Sequence, residues 1–212
     1  MFVYSARVNI TSPRPPLPDS RLSAVLDAAI GVFARFGYRK TSMEDVARAA
    51  GISRQGLYLS FANKEELFRR AVEHSLSTQL ACAIAELSRA ENDLETRLIA
   101  ACKEWSGRFV GFLGADAADL MCASTSLAGA TLTEYEWQFE EALVNAISAT
   151  AVGDRCAAAG LNIADFARAL HATARGLKQT CKTQEDFLKG ITAAIRMACM
   201  PLNQQRELKG FA

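Results

Sequence analysis

The sequence predicts an all-α protein with about nine helices. Apolar residues recur at three- and four-residue steps along most of the chain, which is the spacing of one helix face. No segment shows strand signals of comparable strength, and cap and stop residues divide the chain into helical segments. With 212 residues, the chain can bury a hydrophobic core without disulfides or metals.

The first helix is predicted to begin at about Asp19, with Ser20 as its candidate cap and Gly37 as its stop. Five residues at helical spacing form its apolar face: Leu22, Val25, Leu26, Ala29 and Phe33. Residues 1–18 include the segment PRPPLP, which has neither a helical nor a strand period. We therefore expect an extended or disordered arm before the first helix.

Two short helices are predicted next. A helix over 43–50 can be capped by the hydroxyls of Thr41 and Ser42 and closed by Gly51. A third helix, over 53–60, begins at a serine that can cap it. Its candidate inward residues are Ile52, Leu57 and Tyr58.

A long fourth helix is predicted over 64–87, because Asn63 is followed three residues later by Glu66, the pattern of a capping box. Further helical patterns cover 94–112 and 135–147. Two final helices are the clearest of all, at about 162–182 and 184–201, with the turn between them marked by Thr183 and Asp186.

The first three helices have the spacing of a helix-turn-helix, in which two short helices meet at a tight turn and a preceding helix packs against them. Gly51 allows a positive φ at that turn, and Ala47 is small enough for close approach. An ordinary helical hairpin has the same two features. Residues 1–70 carry eleven Lys and Arg against six Asp and Glu, whereas the remainder is acidic, so the N-terminal part can approach a polyanion.

Residues 21–68 resemble the DNA-binding domain of the TetR (tetracycline repressor)/AcrR-type regulator family almost throughout. The matching residues are Ala28, Ala29, Phe33, Phe36, Gly37, Tyr38, Thr41, Ser42, Met43, Val46, Ala47, Ala50, Gly51, Ile52, Ser53, Leu57, Tyr58, Phe61, Asn63, Lys64, Leu67 and Phe68. The resemblance implies a helix-turn-helix DNA-binding domain over 19–68, followed by a helical effector-binding and dimerisation domain over 69–212. It also implies a transcriptional regulator, most often a repressor, that binds a two-fold-symmetric operator as a homodimer.

The resemblance further implies which residues contact DNA. Thr41, Ser42 and Lys64 lie where family members hold backbone phosphates, and Tyr58 has either that role or a place in the core. Base reading is expected from Arg54 and Gln55, since arginine pairs with guanine and glutamine with adenine. Gly56 and Ser60 complete the expected contacts. Arg39 and Arg48 are at least as well explained as solvated surface charges.

The larger domain is expected to hold a small-molecule effector and to form the dimer. Large apolar groups of the middle helices are the candidate pocket for an aromatic or lipophilic effector, although a stripe of this kind is more often core. These residues are Trp105, Phe109, Phe112, Met121, Tyr135 and Phe139. The resemblance assigns dimerisation to the last two helices, with the apolar residues Phe166, Leu170, Ala174, Phe187, Ile191 and Ile195 as the candidate interface.

Other classes of protein are less consistent with the sequence. The six cysteines form no CxxC pair or Cys/His cluster, so we expect no metal and no cofactor. The glutamates at 134, 136, 140 and 141 have no catalytic partner in the sequence and are interpreted as a solvated helix face rather than as an enzyme site. No secretory or membrane-spanning pattern is found, which favours the cytoplasm. A constitutive DNA-binding protein with a filled interior and no effector remains the alternative.

Overall fold

The computed structural model describes residues 19–111 and 117–200, and these residues form an all-helical fold. The described ranges contain nine α-helices, as predicted: α1 Asp19–Phe36, α2 Met43–Ala49, α3 Arg54–Ser60, α4 Lys64–Leu87, α5 Leu94–Cys102, α6 Ala117–Ser148, α7 Ala151–Ala158, α8 Ile163–Thr180 and α9 Gln184–Cys199. A π-helical turn, Lys103–Gly107, continues α5. The predicted arm over 1–18 and the candidate pocket residue Phe112 lie outside the described residues.

Helix starts follow the predicted caps, because a polar side chain can satisfy the free amides of the first turn. In each case the cap side chain accepts a hydrogen bond from the amide three residues ahead. This arrangement is found at Ser42, Ser53, Asn63 and Thr183. The prediction that Ser20 caps the first helix was wrong, since Ser20 already lies within α1.

Two hydrophobic cores organise the fold. The N-terminal core is built by α1, α2, α3 and α4. At its centre the rings of Phe33 and Phe68 meet edge to face, with their centroids 5.0 Å apart. Ala123 and Ala128 of α6 are buried in the same core. The second core is built by α4, α5, α6, α8, α9 and the π-helical turn. Leu76 of α4 packs against both.

Two helices, α4 and α6, therefore connect the N-terminal part to the rest of the described fold. The first turns of α4 contribute to the N-terminal core and its later turns to the second core. The helix α6 does the same, with Ala123 in one core and Phe139 in the other, and its backbone departs from helical angles between them at Ala128 (φ −136°, ψ 16°). Motion of the N-terminal part must displace both helices.

The helical pattern predicted over 94–112 ends earlier than expected. The backbone widens into the π-helical turn at Lys103 and leaves the helix after Gly107, so Phe109 lies in a turn. Trp105 lies within the π-helical turn and is buried in the second core. No helix within the described ranges is both long and apolar enough to cross a membrane.

Candidate DNA-binding interface

The turn between α2 and α3 has the backbone geometry that the sequence predicted. Gly51 has a φ of +64°, in the left-handed region that a side chain would strain. The amide of Ile52 then donates to the carbonyl of Ala47 at 3.0 Å, which closes the turn. Val46 and Leu57 are fully buried beneath it. The two short helices are thereby held as one rigid unit.

The start of α2 is a complete capping box. The Ser42 side chain accepts from the Asp45 amide at 3.2 Å, and the Asp45 carboxylate accepts from the Ser42 amide at 3.0 Å. The Ser42 hydroxyl also donates to that carboxylate at 2.6 Å. These hydrogen bonds lower the pKa of Asp45. Ser42 is exposed, but in this conformation its hydroxyl and its amide both donate to Asp45, so its contact with a phosphate stays a prediction.

The Thr41 side chain is not placed for the predicted phosphate contact in this conformation. Thr41 is only 2 % exposed, and its hydroxyl donates to the carbonyl of Gly37 at 2.7 Å. A hydroxyl that is buried and already bonded cannot reach a phosphate. Thr41 instead closes the loop that follows α1.

Lys64 likewise makes contacts in this conformation that the sequence did not predict. Its ammonium donates to the carbonyls of Tyr38 at 3.1 Å, Arg39 at 3.4 Å and Thr41 at 3.1 Å. It also lies 4.4 Å from the ring centroid of Tyr38. Because an ammonium has three protons, none is left for a phosphate in this conformation. Lys64 is a brace between the start of α4 and the 38–41 loop.

The exposed face of α3 carries the predicted base-reading residues. Arg54 and Gln55 are exposed at the first turn of the helix. The Arg54 guanidinium lies 5.6 Å from the ring centroid of Tyr58, which is 43 % exposed and therefore not part of the core. The Tyr58 ring supports the guanidinium from below and leaves the phenolic hydroxyl outside the core.

Two smaller residues complete this face. A Cβ added to Gly56 would lie 3.2 Å from the Ser53 hydroxyl oxygen, which accepts from the Gly56 amide at 3.0 Å. A larger residue at 56 would therefore press on the cap that starts α3. Ser60 is partly exposed at the last turn of the same helix.

The two arginines of ambiguous role both have carboxylate partners. Arg48 lies 3.7 Å from Glu44 and 3.6 Å from Asp45 within α2. Arg39 binds Asp119 of α6 twice, through its amide at 2.7 Å and its guanidinium at 3.3 Å. The Arg39 contact joins the DNA-binding part to the helix that passes into the second core.

The candidate effector residues do not surround one cavity. Trp105 and Phe139 are buried and stacked with their centroids 5.0 Å apart, so they fill the interior between the middle helices. Met121 is 51 % exposed, and Tyr135 is half-buried against the second core. In this conformation most of the described candidates pack as core or face solvent, so the shared pocket stays a prediction.

A buried histidine, His171, lies in the same core. The indole N–H of Trp105 donates to Nε2 of His171 at 3.2 Å, and Nδ1 of His171 lies 2.8 Å from the Glu140 carboxylate. Glu140 had been interpreted as a solvated residue. The 31 residues that separate it from His171 left no local signal of their contact.

An open cavity of about 350 Å³ is found elsewhere, at the junction of the two cores. It is lined by Asp27, Ile30 and Gly31 of α1, by Ser75 and Thr78 of α4, and by Arg108 and Phe109 after the π-helical turn. Among the candidate effector residues that the structure describes, Phe109 lines it.

The candidate dimer residues are also placed differently from the prediction. Five of the six belong to the subunit's own core, each at most 4 % exposed: Leu170, Ala174, Phe187, Ile191 and Ile195. Phe166 packs partly against the same core. They are unavailable to a partner in this conformation. The opposite faces of α8 and α9 are exposed and carry small residues such as Ala172 and Gly176, together with Met197, which is 76 % exposed.

Comparison with known proteins finds similarity to bacterial transcriptional regulators. The sequence profile of a family described as bacterial regulatory proteins, tetR family, matches residues 25–71. An uncharacterised helix-turn-helix transcriptional regulator, YfiR of Bacillus subtilis, is 45 % identical over 62 residues, which are 29 % of this chain and 30 % of YfiR. The transcriptional repressor ComR of Escherichia coli is 36 % identical over 85 residues, or 40 % of each chain. The chain thus covers less than half the length of these curated relatives.

The fold of the whole chain shows the same likeness. The crystal structure of the TetR family regulator PfmR from Thermus thermophilus superposes with a TM-score of 0.59 at 19 % identity, covering 84 % of this chain and 99 % of PfmR. YfiR, ComR and PfmR are all transcriptional regulators. The N-terminal helix-turn-helix therefore matches the profile of the tetR family in sequence, and the fold of the described helices is similar to that of a TetR family regulator.

Proposed function

We propose that the protein is a cytoplasmic transcriptional regulator that places α3 in the major groove of a DNA operator. The observation that carries this proposal is the exposed pair Arg54 and Gln55 at the start of α3. The helix-turn-helix that holds them has a buried, packed core of its own. Arginine and glutamine present the bidentate donors and acceptors that distinguish base pairs in the major groove. Rigid support keeps them in position and reduces the entropy cost of reading.

The phosphate contacts are expected at both ends of this unit. Ser42 is exposed beside the amides of the first turn of α2, and Tyr58 extends from α3. Hydroxyls and helix amides at such positions bind backbone phosphates and set the register on the duplex. Thr41 and Lys64 would act indirectly, because their polar groups shape the 38–41 loop that precedes α2.

The regulator is proposed to act as a homodimer through the outer faces of α8 and α9. These faces carry the exposed small residues Ala169, Ala172 and Gly176, which permit close approach of helices, and the exposed Met197. A two-fold dimer presents two reading helices to half-sites about one DNA turn apart. The expected operator is therefore palindromic.

Repression that a small molecule relieves is the proposed mode of regulation. The resemblance to repressors such as ComR supports repression. Because α4 and α6 each enter both cores, a ligand that shifts either helix changes the spacing of the two reading helices. By linkage, DNA must weaken effector binding by the same factor.

Selection of bound sequences from random duplex DNA at fixed salt tests the DNA-binding proposal. We expect a palindromic site, and Arg54→Ala should lose about 1–3 kcal/mol of binding free energy and relax one base position. Arg89→Ala is the matched control, because Arg89 is exposed beyond α4 and pairs only with the nearby Glu86 among the contacts found. An absence of enriched sites, or equal effects of both variants, would refute α3 as the reading helix.

A constitutive regulator without an effector is the second candidate. The stacked Trp105 and Phe139 favour it, since they fill the space that the sequence suggested for a ligand. This candidate and the effector hypothesis differ in whether the cavity at the junction of the two cores binds a ligand.

A further inference from the structure

We propose that the cavity between α1, α4 and the turn at Arg108 binds a small amphipathic monocarboxylate. Its carboxylate would pair with Arg108, and its apolar part would lie between Ile30 and Phe109. This inference rests on the proposed function only in its consequence for DNA, because binding itself requires no operator.

The chemistry of the lining supports a carboxylate. Arg108 is exposed at the cavity, and its guanidinium has no carboxylate partner among the described residues. Ser75 is 8 % exposed, and its hydroxyl oxygen accepts from the Gln79 amide at 2.8 Å, which leaves the hydroxyl proton to donate. A guanidinium and a hydroxyl donor next to an apolar wall suit a carboxylate with a hydrocarbon body.

The acidic residue of the lining does not cancel this preference. The Asp27 carboxylate lies 3.2 Å from Nε2 of His74, so one of its oxygens already has a partner. The Thr78 hydroxyl donates to the carbonyl of His74 and can only accept a further hydrogen bond. Asp27 is thus held by His74, and Arg108 is the cation of the lining that no carboxylate of the described residues pairs.

Gly31 is an independent sign that the space is kept open. It lies within the 18-residue helix α1, where glycine costs about 0.5–1 kcal/mol of stability relative to alanine. A Cβ built on Gly31 meets no atom within 4 Å, so packing among the described residues does not require glycine. The missing side chain leaves room in the wall of the cavity.

The position of the cavity would couple a ligand to the DNA-binding part. Its lining residues come from α1 of the N-terminal core, from α4, which enters both cores, and from the turn at Arg108, which follows the π-helical turn of the second core. On its other side the Phe109 ring lies 6.0 Å from the ammonium of Lys178 on α8. A ligand that moves Phe109 therefore acts between the helix-turn-helix and α8, one of the two helices proposed to form the dimer.

Calorimetric titration of the full chain with sodium octanoate tests the proposal, with octylamine as the charge-reversed probe. We expect octanoate to bind and octylamine not to bind, and Arg108→Gln should weaken octanoate by roughly tenfold or more, the range for losing a charged hydrogen-bonded contact. Lys103→Gln is the matched control, because Lys103 is an exposed cation of the same segment that does not line the cavity. Gly31→Leu should abolish binding by filling the space, and its circular dichroism reports whether it folds.

Three results would overturn the proposal: no heat from octanoate with the wild type, equal affinity in Arg108→Gln, or tighter binding of octylamine, which would make Asp27 the determinant. Fluorescence anisotropy of the selected DNA duplex, measured on the same protein samples, distinguishes a failure of the cavity proposal from a failure of the proposed function. DNA binding without octanoate binding refutes the cavity alone. Octanoate binding that depends on Arg108, without any DNA binding, refutes the regulator alone.

Discussion

Replacing Lys64 by methionine distinguishes a structural brace from a direct phosphate contact. Methionine keeps much of the length of the lysine side chain and removes its ammonium. In the structure this ammonium donates three hydrogen bonds to the 38–41 loop and stacks on Tyr38. Lys64→Met therefore removes support from the loop that precedes α2.

The expected loss of stability follows from the environment of these bonds. Two of the three bonds are partly buried and one is exposed, so water can replace some of what is lost. A net hydrogen bond to a charged group contributes about 1.5–3 kcal/mol when well shielded, and we expect about 2 kcal/mol for the whole set. For a chain of this size, that corresponds to a melting temperature lowered by about 4–8 °C.

Two assays are needed, urea unfolding and the salt dependence of DNA affinity. The brace predicts a lower unfolding midpoint and weaker DNA binding with an unchanged slope of log K against log salt concentration. A phosphate contact predicts unchanged stability and a slope reduced by about 0.9. Lys103→Met, the exposed control, should change stability by less than about 0.5 kcal/mol. Normal unfolding of Lys64→Met together with a reduced slope would refute the brace.

Three further predictions follow from burial and charge. Phe139→Ala should lower the free energy of unfolding, measured by calorimetry, by about 3–5 kcal/mol because the Phe139 ring is fully buried. Trp137 of the same helix is 56 % exposed, so Trp137→Ala should lower it far less. Equal losses in the two variants would contradict the filled interior. Burial raises the pKa of Cys102 to about 12, so at pH 8 a colorimetric thiol reagent should label the exposed Cys122 and spare Cys102 until the protein unfolds. Folding lowers the pKa of Asp45, so the stabilisation by its carboxylate is present at neutral pH and is lost as the pH falls below about 4. The melting temperature of Asp45→Asn should therefore fall less steeply with decreasing pH than that of the wild type. Equal pH dependence of the two melting temperatures would contradict the capping box.

Local features of the fold could be predicted from the sequence because their causes are local. A cap residue and the amide it binds are three residues apart, so Ser53, Asn63 and Thr183 indicated the starts of their helices. The positive φ at Gly51 and the exposed start of α3 depend on neighbouring residues in the same way. These features suffice for the helix-turn-helix and its reading residues.

The partners of side chains could not be predicted, because they come from distant parts of the chain. Lys64 binds carbonyls 23 to 26 residues away, and His171 meets Glu140 across 31 residues. The sequence alone interpreted Lys64 as a phosphate ligand and Glu140 as a solvated residue. Contacts of this kind depend on how the helices are arranged, which helical spacing does not specify.

The last two helices show what the sequence determines and what only the tertiary structure determines. By itself the sequence determined that α8 and α9 are amphipathic, since their apolar residues recur at helical spacing. Only the tertiary structure decided that Leu170, Phe187 and Ile191 face the subunit's own core rather than a partner. The physical reason is that apolar side chains gain the same free energy from leaving water whichever surface covers them, so periodicity identifies the buried face but not what buries it.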